Sequence, residues 1–235
     1  MKPPVTVILF DIDGTLLNTR GAGANALRHA FAETWGIPVD QVPQLKLAGA
    51  TDAGLWQLLV SVVPGAEADP VRESLFHEHY LRRLDENFRG DHFLPRLCPG
   101  AAELVRCFHE SDRFVLGLLT GNLKAGADLK VDHFDLGCCF EFGAFGDEDA
   151  DRDVLARIAV ERARNLPEVS ADSPIWVFGD TPKDIACARA AGVSVLAVAT
   201  GSCSLEELAS HEPDALLPDF ADLEVVLKHF QENAD

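Results

Sequence analysis

The chain has 235 residues and a formal net charge of −18 at pH 7, which argues against the basic face of a nucleic-acid binder. A small anion stays open as a ligand, because surface charge is screened within roughly 8 Å at physiological salt. Hydrophobic residues make up 47% and charged residues 25%, ordinary for a globular protein, and no run approaches the ~20 apolar residues that cross a bilayer, so no membrane partner is expected.

Met1-Lys2-Pro3-Pro4 has no signal-peptide architecture, which gives the expectation of a cytoplasmic protein. Val5 to Phe10 is an apolar run rich in β-branched residues and reads as a buried parallel strand. It delivers two carboxylates, Asp11 and Asp13, to its carboxyl end, and Gly14 permits the turn that follows. Carboxylates held close together repel, so they need a cation, strong donors or a shared proton. The motif therefore suggests a divalent metal, an acid/base pair or both, with an ordinary polar turn as the alternative.

From about 18 to 92 the pattern is helical with no convincing strand. Leu27, Ala30, Phe31 and Trp35 recur at helical spacing before Gly36-Ile37-Pro38. Thr51 or Asp52 can cap a second helix with a stripe of Leu55, Leu58, Leu59, Val62 and Val63. Val71, Leu75, Leu81, Leu84 and Phe88 mark a third, ending near Arg89-Gly90. The domains read as 1–17 plus 93–235 for an α/β core and 18–92 for an all-helical insertion.

Pro99-Gly100 starts the next helix, with Pro99 at its first position. Arg113 to Leu119 is a second buried strand ending in Thr120-Gly121-Asn122, where Asn122 can cap a helix running to about Phe134. Residues 138–146 read as a short strand and loop, followed by an acidic loop and a helix carrying Leu155 and Ile158. Ile175 to Phe178 is another strand, ending in Gly179-Asp180-Thr181-Pro182-Lys183-Asp184, with Thr181 as N-cap and Pro182 at the first helical position. Val193 to Ala199 and an edge strand at Asp214 to Leu217 precede a terminal helix at 220–230. Alternating strands and helices imply right-handed crossovers and a parallel sheet covered on both faces. If the strands are neighbours, Asp11, Asp13, Thr120, Asp180 and Asp184 converge on one crevice.

The six cysteines, Cys98, Cys107, Cys138, Cys139, Cys187 and Cys203, form no C-x-x-C pair and read as reduced, mostly buried hydrophobes. The eight histidines form no cluster at metal-ligand spacing.

Asp11-Ile12-Asp13-Gly14-Thr15-Leu16, Leu118-Leu119-Thr120-Gly121-Asn122 and Gly179-Asp180-Thr181-Pro182-Lys183-Asp184 together resemble the first, second and fourth motifs of the haloacid dehalogenase-like (HAD) superfamily, in the form seen in its phosphoglycolate-phosphatase-like branch. The resemblance covers essentially the whole chain. It implies a three-layer Rossmann-like core with a parallel sheet and a helical cap inserted after the first strand. It also implies a Mg²⁺-dependent phosphatase hydrolysing a small phosphomonoester through an aspartyl-phosphate. Asp11 would be the nucleophile and Asp13 the acid and base. Asp11, Asp180 and the Asp13 backbone carbonyl would hold Mg²⁺, with Asp184 supporting it. Thr120, Gly121 and Asn122 would bind phosphate. The partner implied is a small phosphorylated metabolite.

Two departures from the family pattern stand out. The third motif commonly has a Lys, and the residue in register here is Arg152, whose charge can serve at the phosphate or pair with Asp149 or Asp153 on the surface. Lys124 is a weaker phosphate candidate, and Lys130 reads as a solvated helix residue. In the cap, Gly49-Ala50-Thr51 stands where related caps often carry Gly followed by Arg or Lys. A phosphonatase would use a cap Lys, and Lys46 is the sole one. The remaining alternatives on this scaffold are a phosphomutase of sugar phosphates and a non-catalytic binding protein.

Overall fold

In β1 (Thr6–Phe10) four of the five residues are buried, because a strand covered on both faces presents no polar side. This computed structural model describes residues 4–45 and 48–231. Lys46 lies outside them. After β1 the chain forms β2 (Leu17–Asn18), then helices α1 (Ala22–Trp35), α2 (Asp52–Val62) and α3 (Pro70–Arg89), and returns through β3 (Arg96–Leu97). β2 and β3 pair antiparallel, tying the two ends of the helical insertion together. Then follow α4 (Ala101–His109), β4 (Phe114–Leu119), α5 (Lys124–Asp132), β5 (Phe142–Ala144), α6 (Arg152–Arg164), β6 (Ile175–Gly179), α7 (Pro182–Ala191), β7 (Ser194–Val198), α8 (Leu205–Ala209), β8 (Ala215–Leu217) and α9 (Leu223–Gln231).

The sheet runs β5-β4-β1-β6-β7-β8, with every pair parallel. Period-two alternation divides its side chains between two layers. Ile8 and Phe10 pack with α4, α5 and α9 on one face, and Val7 and Leu9 with α6, α7 and α8 on the other. Phe10 stands opposite Leu118 of β4 and Phe178 of β6, so Asp11, Thr120 and Asp180 leave the sheet side by side. The chain grows to one side of β1 through β4 and β5, then returns to the other side through β6. Such a switch point is where open α/β sheets bind ligands.

The cap has its own core, in which Phe31, Trp56, Phe76 and Leu84 are buried together. Its helices are rotated from the expected stripes. Leu58 and Val62 are 43% and 49% exposed, because Trp56 takes the inward position beside Leu55 and Leu59. In α3 the buried line is Phe76, Tyr80, Leu84 and Phe88, and Val71 and Leu75 face out.

Two expected helix starts are also displaced. Gly100 is the N-cap of α4, so Pro99 lies before the helix rather than at its first position. Leu123, not Asn122, precedes α5, because the Asn122 side chain is committed elsewhere. Thr51 and Thr181 cap as expected, and all six cysteines are free. Among the described residues no helix is long and apolar enough to cross a membrane.

Candidate active site

Gly14 makes the first turn with φ 91°, a conformation side chains resist. A methyl group there would also collide with the Asp180 carboxylate. The turn is fixed by Gly14 N–H donating to Leu17 O at 2.8 Å and by the Thr200 hydroxyl donating to Gly14 O at 2.5 Å. It sends the two acids in different directions. Asp11 is buried with Asp180 and Asp184, and one carboxylate oxygen from each lies within 4.8 Å of the other two. Asp13, with a side chain 40% exposed, turns toward β4 and α5.

Asn122 Nδ2 donates to Asp13 Oδ2 and to Thr120 Oγ1, both at 2.7 Å. That double contact is why Asn122 does not cap α5. Lys130 is the main correction to the sequence reading. It is 2% exposed, and its Nζ donates to Asp13 Oδ2 and to Asn122 Oδ1, both at 2.6 Å. Lys124 instead pairs with Asp128 on the surface. Arg152 starts α6 and is buried, clear of Asp149 and Asp153. Its Nη2 donates to Asp11 Oδ1 at 2.9 Å and also to Asp184 Oδ1. Its Nε has no hydrogen-bond partner among the described residues. Two cations thus serve two acids, Arg152 at Asp11 and Lys130 at Asp13.

The electrostatics reflect crowding. Burial pushes Asp11 up to about 7, with Arg152 opposing and Asp184 and Asp13 adding to the rise. Burial, then the charges of Asp184 and Asp11, push Asp180 up to about 9. Burial alone would lower Arg152, but Asp184 and Asp11 more than reverse that and hold it firmly charged. One guanidinium against three buried carboxylates leaves uncompensated negative charge. A hard, all-oxygen donor set of this kind suits Mg²⁺. The Asp13 carboxylate is not among these oxygens, so any part it takes there falls to its backbone carbonyl. Asp184 also accepts from the Thr181 N–H at 2.9 Å and hydroxyl at 2.7 Å, closing a capping box on α7. Asp184 thus sits both at the N-terminus of α7 and beside Asp11 and Asp180.

The cap closes directly on this site. Asp52 N–H donates to Gly121 O at 2.7 Å, Leu123 N–H donates to Asp52 Oδ2 at 2.9 Å, and the Thr51 hydroxyl donates to Ala150 O at 2.8 Å. Gly121 permits this approach, since a methyl group there would strike the Ala50 carbonyl. Burial pushes the Asp52 acid up to about 6, opposed by Lys130 and by the bond from Leu123. The cavity between cap and core has a volume of about 160 Å³. Asp11, Asp13, Thr120, Lys130 and Arg152 line it from the core, and Asp52 and Tyr80 from the cap. Asp52, Tyr80 and the placement of Lys130 were not foreseen from the sequence.

The model of the haloacid dehalogenase-like hydrolases matches residues 5–192, and the chain belongs to that family. The expectations of a family hydrolase and of a Rossmann-like core with a helical cap stand. A phosphoglycolate phosphatase of Mesorhizobium japonicum is 28% identical over 227 residues, covering 94% of each chain. The pyrophosphatase PpaX of Listeria monocytogenes is 25% identical over 230 residues, covering 97% of this chain and 99% of its own. Among solved structures, a predicted phosphoglycolate phosphatase from Haemophilus somnus superposes with a TM-score of 0.70 at 20% identity, covering 94% of this chain and 97% of its own.

Proposed function

We propose that the protein is a Mg²⁺-dependent phosphatase that hydrolyses a small phosphomonoester through an aspartyl-phosphate on Asp11. The observation that carries this reading is the pair of acids served by separate cations in one cavity, buried Asp11 by Arg152 and half-exposed Asp13 by Lys130. The names of the relatives, phosphoglycolate phosphatase and pyrophosphatase, are in keeping with it.

In this reading an Asp11 carboxylate oxygen attacks phosphorus in line, and the bond from phosphorus to the alcohol oxygen breaks. Asp13, open to the cavity, gives its proton to the departing alkoxide. It then takes a proton from the water that attacks the acyl phosphate, and Asp11 is released. Lys130 and Asn122 hold Asp13 in place for both transfers. Thr120 and the turn amides at Gly121 and Asn122 bind phosphate oxygens, and Arg152 orients Asp11 through Oδ1, leaving Oδ2 for attack. Asp11, Asp180 and the Asp13 backbone carbonyl, with Asp184 beside them, would hold Mg²⁺, whose charge when bound offsets that of the phosphate.

Residues 18–92 act as the cap and residues 1–17 with 93–235 as the core. The cap opens for exchange at the β2–β3 ribbon and shuts out water through the contacts of Asp52 and Thr51.

The test is phosphate release from a panel of small phosphomonoesters with and without Mg²⁺. Metal-dependent release that Asp11→Asn abolishes is the expected result. Metal-dependent release that survives Asp11→Asn would remove the covalent mechanism.

A further inference from the structure

We infer that the substrate is a small alcohol phosphate whose organic end carries hydrogen-bond donors, hydroxyl or ammonium, and no carboxylate. The inference rests on the phosphatase reading and concerns what the cap side of the same cavity recognises.

Residues 18–92 contribute three polar side chains to the wall, Thr19 at the entry to the cap, Asp52 at the start of α2 and Tyr80 in α3. Asp52 accepts one bond, at Oδ2 from Leu123 N–H, and its Oδ1 receives no donor from the described residues. The Tyr80 hydroxyl likewise makes no hydrogen bond among them. A carboxylate oxygen facing a cavity calls for a donor from the ligand, since an unpaired acceptor in such a site is costly, and the Tyr80 hydroxyl across from it can donate or accept. Leu27, Leu55 and Ala24 complete the wall with apolar surface.

The cations point the same way. Lys130 and Arg152 are the two cationic side chains lining the cavity among the described residues, and each is bonded to an acid of the core. Neither is left for the organic end of a substrate. Ala50, which lines the cavity from the cap, brings no charge. A carboxylate there would be desolvated against Asp52 and Asp13 with no unpaired cation among the described lining residues, a strongly disfavoured arrangement. A hydroxyl or ammonium would instead supply the donor that Asp52 lacks. The cavity of about 160 Å³ is well below the ~300 Å³ at which drug-sized sites begin, which restricts the organic part to a few atoms.

This separates the protein from what the names of its phosphoglycolate phosphatase relatives would suggest, because phosphoglycolate carries a carboxylate at its organic end. The experiment measures kcat/KM of the full chain with Mg²⁺ for glycerol phosphate, ethanolamine phosphate, phosphoglycolate and phospholactate, with an aryl phosphate alongside. Expected is at least a tenfold preference for the glycerol and ethanolamine esters over both carboxylates. Asp52→Asn should narrow the gap, raising phosphoglycolate severalfold and lowering ethanolamine phosphate. If Asp52→Asn does not fold, the ranking by the unmodified protein decides alone. Turnover of phosphoglycolate as fast as, or faster than, the donor-bearing esters would overturn the inference, as would hydrolysis of the aryl phosphate with none of the small esters. Release from none of the five would overturn the phosphatase reading itself.

Discussion

Lys130→Met gives the sharpest test of how the site divides its charges. Met keeps the length and apolar stem of the side chain, so the packing of α5 is preserved and the ammonium alone is lost. That ammonium lies 2.6 Å from Asp13 Oδ2 and 2.6 Å from Asn122 Oδ1. At an effective dielectric of ~20, unit charges at 2.6 Å attract by about 6 kcal/mol. Desolvation of the buried ammonium cancels much of this, and solvent at the partly exposed Asp13 screens more of it. On the proposed mechanism, what remains for catalysis is the fixed positive charge beside Asp13, the acid assigned to the leaving group. Losing one preorganised group of this kind costs about 10²–10³ in rate, or ~3–4 kcal/mol. The expected result is therefore a fall of about 10²–10³ in kcat/KM on every hydrolysed ester alike. The assay is steady-state phosphate release at saturating Mg²⁺, with circular dichroism and thermal melting to establish that the variant folds. A folded Lys130→Met within threefold of the parent would show that the buried lysine serves packing and hydrogen bonding alone.

Further outcomes follow from the same contacts. Arg152→Gln leaves Asp11 and Asp184 buried without their cation, and should destabilise the metal-free protein by about 3–5 kcal/mol. Added Mg²⁺ should restore part of that loss, and an unchanged melting temperature without metal would show the pairing to be energetically idle. Gly121→Ala puts a methyl group against the Ala50 carbonyl and should raise KM at least tenfold while the core still melts cooperatively. An unaltered KM would mean that the cap need not approach the phosphate loop so closely. Asp52 is an acid whose pKa in the folded protein is raised to about 6 from 3.8. Its favourable contribution to stability is therefore complete below about 3.8 and lost as pH rises through about 6. Asp52→Asn should accordingly gain about 1–3 kcal/mol over the parent at pH 7, shrinking toward pH 4.5. Urea denaturation at both values checks this, and a gain independent of pH would remove the electrostatic explanation.

The fold was readable because its signals are local. β1, β4, β6 and β7 are apolar runs that end in small polar turns, and Pro182 after Thr181 marks a helix start by backbone chemistry alone. The acids at the strand ends were readable for the same reason, since a strand end fixes where the next residue goes. What escaped depended on which way a helix face turns once it is packed. The α2 stripe could be drawn through Leu58 and Val62 as easily as through Trp56, and the packing of Trp56 against Phe31 and Phe76 decided it. Asp52 looked like one more helix-capping acid, because nothing local reports that α2 begins against the loop after β4.

Lys130 shows where a stronger sequence signal lay. The buried residues of α5 are Gly126, Ala127, Lys130 and Val131, a set spaced at three and four residues and so confined to one face of a helix. Lys124 and Asp128, four apart, form an exposed pair outside that set. A lysine within the small, apolar stripe of a short helix is the exception to the rule that such charges face water, and burial demands a partner for it. The helix that carries it begins two residues after Gly121-Asn122, so a buried cation on its inward face has the strand-end acids within reach. The same reasoning accounts for the small residues around it. Gly126 lies against Tyr80 and Leu84 of the cap, so α5 can sit close under α3 with its ammonium directed at Asp13 and Asn122. The charge absent from the usual third-motif lysine is thus present twice over, as an arginine bonded to Asp11 and as a lysine bonded to Asp13. A site arranged this way keeps a cation at Asp11 and at Asp13, and the proposed substrate would then meet Asp52 and Tyr80 with its organic end.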